Sequence, residues 1–542
     1  MLFSLNGGHV AHLYDACIDA GMRLLDVRHE DAAVHMAHAY ARLSGKPGVA
    51  VVTAGPGVTN TVTAVANAQQ AASPLVLIGG KAPIPQFGLG ALQDLDQVTL
   101  MRPITKAAFT IYEPARVAEQ ISAAVRIAHA PPHGPVYVEI PTDVLRGAVP
   151  DAAPLTVMPG RIQSRPAPDA QALAAAVALL AKAERPLIVA GGGVHWSDAF
   201  AALEALAERL QAPVLTTSLT RGAMTPGHPL HLPGARTTLF ANADVVLIVG
   251  ARFNYVLGYG RAPRFGADAK VVQIDLAAEE LNRNRVADVA MLADARTALE
   301  ALVAALPASA ARNWVTLARE RHERASAKLT SPDARGAGPL HPLRLAGEVV
   351  RALPADAALV LDGGDILSWG RLVAAPRGPR RYLDPGPFGC LGVGIPFANA
   401  ATMARGGAPA VCLTGDGALG FHLMEFDTAV RHRLPLIVVV SNNRAWGIER
   451  LAQIEEFGVS RVLGTELRDC RFDRVAEALG GFGERVDHAG ELPAALTRAL
   501  DAGVPAILDV VTDRDAPSPD LRRGLARVPD RAPLASYGSA SS

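Results

Sequence analysis

Paired cysteines, net charge and long apolar runs are all missing from this chain. Its four cysteines, Cys17, Cys390, Cys412 and Cys470, stand far apart in 542 residues with no Cys-x-x-Cys spacing. That argues against a disulfide framework and a zinc site, and suits a reducing cytoplasm. Lys plus Arg (52) balance Asp plus Glu (52), so the overall charge favours neither nucleic acid nor an anionic membrane. No run reaches the roughly 18 apolar residues of a spanning helix. The opening MLFSLNGGHVAHLYD lacks the basic and apolar regions of a signal peptide. The expectation is a cytoplasmic protein with small-molecule partners, no nucleic acid and no membrane.

What is present is a recurring rhythm. Short β-branched runs occur at 48–53, 74–80, 135–140, 186–192, 244–250, 270–275, 358–364, 410–417, 434–443 and 505–511, each followed by a Gly-rich turn and an Ala-rich amphipathic stretch. Strand, turn and helix in repetition predict parallel sheets buried on both faces, an α/β class. Pro-rich, aperiodic segments at 148–170 and 327–342 read as linkers. Three doubly wound domains are therefore expected near 1–150, 165–315 and 342–515, with a C-terminal tail at 516–542 that packs as a lid or frays.

The stretch VCLTGDGALGF (411–421) runs a strand into Gly-Asp-Gly, and the next apolar run ends on Asn442 and Asn443. In a parallel sheet the carboxyl ends of neighbouring strands face one crevice, so Asp416 and Asn443, 27 positions apart, can reach the same point. A carboxylate and an amide carbonyl suit Mg²⁺ holding phosphate oxygens, and the glycines let backbone approach a phosphate. A tight turn with an Asn cap would use the same residues. The pair resembles the thiamine-diphosphate motif of Gly-Asp-Gly followed by Asn-Asn. That resemblance implies that Asp416, Asn443 and the carbonyl of Ala445 bind the metal, and that Gly417, Ala418, Gly447 and Ile448 lie against the diphosphate.

In the first domain, LLDVRHEDAAVHMAHAYARLSG (24–45) sets Glu30 at the head of an Ala-rich helix, where an acid also favours the helix dipole. With GVAVVTAGPGVTN (48–60) it resembles the pyrimidine-binding domain of the same family. The resemblance implies that Glu30 hydrogen-bonds N1′ of the aminopyrimidine, so that the 4′-nitrogen takes the thiazolium C2 proton. FGCLGVGIPFA (388–398) matches the family's wedge, with Leu391 between the rings and the Gly389 carbonyl facing the 4′-amino group. Read locally, Leu391 is equally an ordinary core residue. The family places the two binding domains in different subunits, implying a homodimer or homotetramer. It also carries a helix before the strand LFSLNGG, whereas Met1 stands almost at that strand, so the expectation is either a misassigned start or a first domain without its covering helix and with bare apolar surface there.

Several segments narrow the branch. GALQDLDQVTLMRPITKAAF (90–109) resembles the acetolactate synthase, benzaldehyde lyase and oxalyl-CoA decarboxylase branch, with Gln93 at the position of an active-site Gln. FSLNGGHV (3–10) is similar to a loop that presents a His, making His9 a candidate proton shuttle or an ordinary surface His. GARFNYVLGYGRAPRFGADAKVVQIDLAAEELNRNR (250–285) most resembles the 2-hydroxyacyl-CoA lyases and oxalyl-CoA decarboxylases. It implies ADP, or FAD as in the synthases, at Arg252, Asp275 and Asp294; a vestigial sheet holding no nucleotide is the alternative. PRGPRRYLDPGPFGCLGVG (376–394) is similar to the CoA branch and carries Arg377, Arg380 and Arg381, whose guanidinium forks suit a CoA phosphate; a solvated surface cluster is the alternative. NNRAWGIERLAQ (442–453) resembles the actinobacterial type of 2-hydroxyacyl-CoA lyase, which implies that Glu449 moves protons on the 2-hydroxyl; a solvent-facing Glu paired with Arg450 or another base is the alternative.

The expected protein is a thiamine-diphosphate- and Mg²⁺-dependent lyase or carboligase. Its preferred substrate is a 2-hydroxyacyl-CoA thioester, cleaved to formyl-CoA and an aldehyde or ketone, with His9, Gln93 and Glu449 handling the hydroxyl protons. The alternatives are an acetolactate-synthase-like or benzaldehyde-lyase-like enzyme of 2-keto acids, and a catalytically inactive regulatory homologue. The sequence leaves open the acyl chain, the reaction direction and the central ligand.

Overall fold

The computed structural model describes residues 1–149, 164–310, 312–330 and 340–517. Most of both expected linkers (150–163 and 331–339) and of the tail (518–542) lies outside the described residues. The first sheet is built from β1 (Leu2–Ser4), β2 (Leu24–Asp26), β3 (Gly48–Val52), β4 (Leu75–Lys81), β5 (Ala107–Thr110) and β6 (Pro135–Pro141). The second contains β7 (Pro186–Ala190), β8 (Val214–Thr216), β9 (Val245–Val249), β10 (Lys270–Asp275) and β11 (Val289–Leu292). The third contains β12 (Ala358–Leu361), β13 (Tyr382–Leu383), β14 (Ala410–Gly415), β15 (Leu436–Asn442), β16 (Phe482–Val486) and β17 (Ala506–Val511). Every pairing within these sheets is parallel. The molecule is three parallel-sheet α/β domains.

The strand orders are β2-β1-β3-β4-β6-β5, β11-β10-β9-β7-β8 and β13-β12-β14-β15-β17-β16. Each of the ten apolar runs contains a strand, because a central parallel strand is covered on both faces and must be apolar throughout. β4 and β15 are buried along their whole length. Of the seven strands outside those runs, β2, β5, β8, β11, β13 and β16 are sheet edges, and β1 is a three-residue strand between β2 and β3. They are short or only partly covered, so no continuous apolar run is demanded of them.

The first and third domains share one core. The helix Glu30–Ser44 packs on the helix Gly394–Ala404, and both are rich in Ala, which lets their backbones approach. The same helix lies close against its own sheet: a Cβ on Gly48 would fall 2.0 Å from the Ala37 carbonyl oxygen. Phe397 fills the joint, and truncating such a buried ring costs about 3–5 kcal/mol.

At the far end of the joint the buried Arg42 donates to the Asp384 carbonyl at 2.7 Å, and Arg371 donates to the Asp384 carboxylate at 3.0 Å. Arg221 of the central domain donates to the Arg371 carbonyl at 2.8 Å, so one cluster ties all three domains. Despite complete burial, these guanidiniums hold the Asp384 carboxyl down at about 2. The apolar surface expected to lie bare at β1 is covered: Phe3 and Ser4 are wholly buried, and the exposed apolar side chains nearby are Ile18 and Met22 on and after the following helix. No helix among the described residues is long and apolar enough to cross a membrane, and the four cysteines are free.

Candidate active site

The ends of β14 and β15 bring Asp416 and Asn443 to one corner. Asp416 opens the helix Asp416–His422 and is 6% exposed. Burial raises its carboxyl to about 6, although main-chain N–H groups, including those of Gly417, Ala445 and Arg444, work the other way. Its Oδ2 is buried without a hydrogen-bond partner. Beside it, the Asn443 Oδ1 accepts from Ala445 N at 3.2 Å. Arg444 between them sits at φ 56°, a left-handed conformation that costs a non-glycine residue energy and recurs at functional turns.

The two glycines of this corner are required by close approach. A Cβ on Gly417 would lie 2.6 Å from the Trp446 ring, and one on Gly447 would lie 2.6 Å from the Asn443 Nδ2. An orphaned carboxylate oxygen next to an amide and a buried main-chain segment fits a hard divalent cation that takes its remaining ligands from phosphate and water. Among the described residues no group of three His, Cys, Asp or Glu side chains forms a separate metal site. Ala418 is buried behind the turn, and Ile448 approaches Gly364, whose added Cβ would lie 3.3 Å from its Cδ1.

The first domain assembles a second set at the carboxyl ends of its own strands. Glu30 begins its helix, capped by the His29 side chain, which accepts from Asp31 N. Glu30 is 9% exposed and accepts from the Asn60 Nδ2 at 2.9 Å. The same loop carries Gly55, against which Gln93 packs so closely that a Cβ on Gly55 would fall 2.8 Å from the Gln93 Cβ. Gln93 holds φ 62°, again left-handed without being glycine. His9 lies 3.2 Å from the Thr53 Oγ1 through its Nδ1 and bonds to the Leu92 main chain. Burial lowers its pKa, which keeps the imidazole neutral and able to take a proton at neutral pH. Thus His9 and Gln93 meet at one loop, and Glu30 joins that loop through Asn60.

The first and third domains are tied next to these residues. The His422 Nδ1 donates to the Gly392 carbonyl at 2.8 Å while its Nε2 lies 3.7 Å from Asp31. Gly392 follows Leu391, which is half-buried, and Gly389 is exposed at φ 75°. Glu449 is exposed on the helix Gly447–Phe457, and Arg450 is occupied by Glu466 and Asp515.

A cavity of about 2350 Å³ runs from the central sheet to Gly386 and Pro387, next to the wedge segment. Arg252, Asp275 and Asp294 all line it. Asp275 ends β10, its Oδ1 accepts from Ala277 N, and burial pushes its carboxyl up. Arg252 donates to the Gln70 carbonyl and lies 3.5 Å from Glu280. Asp294 caps the helix Ala295–Ala305 and pairs with Arg165 and Ser197.

The basic cluster divides. Arg377 is exposed, Arg380 lies over Phe200 and 3.6 Å from Asp198, and Arg381 donates to the Ala355 carbonyl. Sequence reasoning overlooked Asn60, Thr53, His422 and Trp446 as neighbours of the site. Only Asn60, a polar residue closing the Gly-rich turn after β3, left any local signal.

The fold and these two turns define a class: three-domain α/β enzymes that hold a diphosphate cofactor between sheet ends. Family models for the thiamine pyrophosphate enzymes match here in all three parts: the N-terminal TPP binding domain at residues 1–100, the central domain at 173–302 and the C-terminal TPP binding domain at 362–510. The chain belongs to the thiamine pyrophosphate (thiamine diphosphate) enzyme family. It is 38% identical over 523 residues to the acetolactate synthase large subunit IlvG of Mycobacterium tuberculosis, covering 94% of this chain and 93% of that one. With 2-hydroxyacyl-CoA lyase 2 of Homo sapiens it shares 36% over 527 residues (89% and 82%), and with oxalyl-CoA decarboxylase of Escherichia coli 32% over 504 residues (91% and 88%).

Proposed function

We propose that this enzyme is a carbon–carbon lyase or carboligase acting on a 2-hydroxyacyl-CoA and dependent on thiamine diphosphate and Mg²⁺. When bound, thiamine diphosphate supplies a nucleophilic carbon and an electron sink for the bond broken. Asp416, Asn443 and the Ala445 carbonyl would hold the metal, and Gly417, Ala418, Gly447 and Ile448 the diphosphate. Glu30 would hold the aminopyrimidine through its carboxyl, with Gly389 and Leu391 completing the seat. His9, neutral by burial, takes the substrate hydroxyl proton at its ring nitrogen, Gln93 orients that hydroxyl, and Glu449 serves as the second acid. The acid and the metal corner serve one cofactor across a homodimer interface, with homotetramers as dimers of dimers.

The observation that supports the thioester reading is the cavity of about 2350 Å³ reaching from the central sheet to Pro387, with volume for an adenine nucleotide at Arg252 and Asp275. Acetolactate-synthase-like chemistry on 2-keto acids is the second reading. It is favoured by the pairing of Arg380 with Asp198 and of Arg381 with Ala355, which leaves Arg377 as the exposed member of the expected phosphate cluster. The test is to offer the holoenzyme a panel of 2-hydroxyacyl-CoAs beside pyruvate and read products by mass. Formyl-CoA supports the first reading, acetolactate the second. Neutralising Arg377 should raise the KM for a CoA thioester and leave that for pyruvate unchanged.

A further inference from the structure

The turn that presents Glu30 is gripped by a helix from another domain. Residues Asp26 to His29 join β2 to the Glu30 helix, and the third-domain helix Glu425–Arg431 lies across them. Glu425 Oε1 accepts from Arg28 N at 3.0 Å and from His29 N at 3.1 Å. Its Oε2 accepts from the Thr428 Oγ1 at 2.7 Å, and its own carbonyl accepts from the buried Asn399 Nδ2 at 2.9 Å. Arg28 reaches Asp427 at 3.4 Å, Arg431 pairs with both Asp26 and Asp427, and the His432 Nε2 lies 2.8 Å from Asp26.

A turn of four residues is thus fixed at both ends by side chains almost 400 positions away, and Glu425 is 1% exposed. The two N–H groups it receives precede the first turn of the helix and have no partner within it. A fully buried carboxylate is costly to retain for two turn amides alone, since an apolar contact would fill the space without desolvating a charge.

We propose that Glu425 is a positioning residue for Glu30: it sets the backbone of Arg28 and His29 and thereby the direction in which the Glu30 carboxyl leaves its helix. The inference rests on the reading of Glu30 as the acid that holds the aminopyrimidine. Glu425 does not touch the reacting atoms. It determines whether Glu30 arrives within hydrogen-bond reach, and misplacement by about 1 Å at such a contact can lower turnover by about 100-fold. The Asp31–His422–Gly392 tie is compatible with this grip, since it fixes the residue after Glu30 to the wedge segment from the other side.

The test uses the full-length enzyme with thiamine diphosphate and Mg²⁺. Glu425→Ala should lower kcat by about 30- to 100-fold while moving the substrate KM by less than about threefold. Glu425→Gln keeps an acceptor for both amides and an amide donor for Thr428, and should recover kcat to within about threefold. Without cofactor, hydrogen exchange at Arg28 and His29 should quicken at least about tenfold in Glu425→Ala and stay slow in Glu425→Gln. Exchange inside the Glu30 helix should remain unchanged in both.

Should Glu425→Ala fail to fold, Thr428→Val, which frees the Glu425 Oε2, should give the same KM-sparing loss at smaller size, about threefold. Equal kcat values for the Ala and Gln variants, or an unaltered Thr428→Val enzyme with unaltered exchange, would overturn the proposal. Glu30→Gln separates the two layers. If it stays active, the role of Glu30 itself fails; if it is inactive while Glu425→Ala is normal, only the positioning claim fails.

Discussion

The first and third sheets have the same strand order, yet they carry different chemistry. Their orders, β2-β1-β3-β4-β6-β5 and β13-β12-β14-β15-β17-β16, map strand for strand. After β3 the first domain turns through Gly55-Pro56-Gly57, and after β14 the third turns through Gly415-Asp416-Gly417. The step from β2 leads to Glu30, and the equivalent step from β13 leads to Leu391. The two helices that follow, Glu30–Ser44 and Gly394–Ala404, then pack on each other. One scaffold therefore supplies Glu30 on one side and the Asp416–Asn443 corner on the other, and the difference lies in single residues at matching turns. Exchange of those residues should show which turn carries which task.

The largest effect is expected from the acid side. Glu30→Gln preserves the Asn60 contact in shape but removes the carboxylate, and steady-state kinetics should show kcat reduced by about 10²- to 10⁴-fold, with unchanged circular dichroism. On the cation side, Asp416→Ala should weaken cofactor binding by about 100-fold or more and abolish its dependence on added Mg²⁺, read by calorimetric titration. A steric change at the same turn comes next. Gly417→Ala pushes a methyl into the Trp446 ring and should lower the melting free energy by about 1–3 kcal/mol, measured by chemical denaturation.

The electrostatic prediction concerns the joint between the two domains. Burial raises the Glu425 carboxyl from 4.5 to about 7. A raised acid binds its proton more tightly when folded, so its contribution is fully present below pH 4.5 and is lost as pH rises through about 7. Denaturation of the cofactor-free protein should show stability falling by roughly 3 kcal/mol across that window from this group. Glu425→Gln should remove that part of the slope.

Much of this architecture was legible in the sequence because central parallel strands must be apolar on both faces, as β4 and β15 are. Edge strands such as Ala107–Thr110 and Phe482–Val486 escaped notice, since a half-covered strand needs no continuous apolar run. Asp416 and Asn443 could be read because both belong to one local pattern of turn and strand end. Glu425 could not: its partners are Arg28 and His29, and nothing in MEFDTAVRHR marks a residue whose role lies in another domain. Arg377, Arg380 and Arg381 are close in sequence, yet the fold lays Arg380 over Phe200, turns Arg381 to the Ala355 carbonyl and leaves Arg377 exposed, a division that sequence adjacency does not reveal.

The central claim is that a divalent ion at Asp416 and Asn443 anchors the cofactor's diphosphate. Isothermal titration of the purified protein with thiamine diphosphate, with and without Mg²⁺, tests it most directly. The account predicts saturable binding that requires the ion and is lost in Asp416→Ala. Binding of equal strength in excess chelator, or an Asp416→Ala protein that titrates like the original, would contradict it.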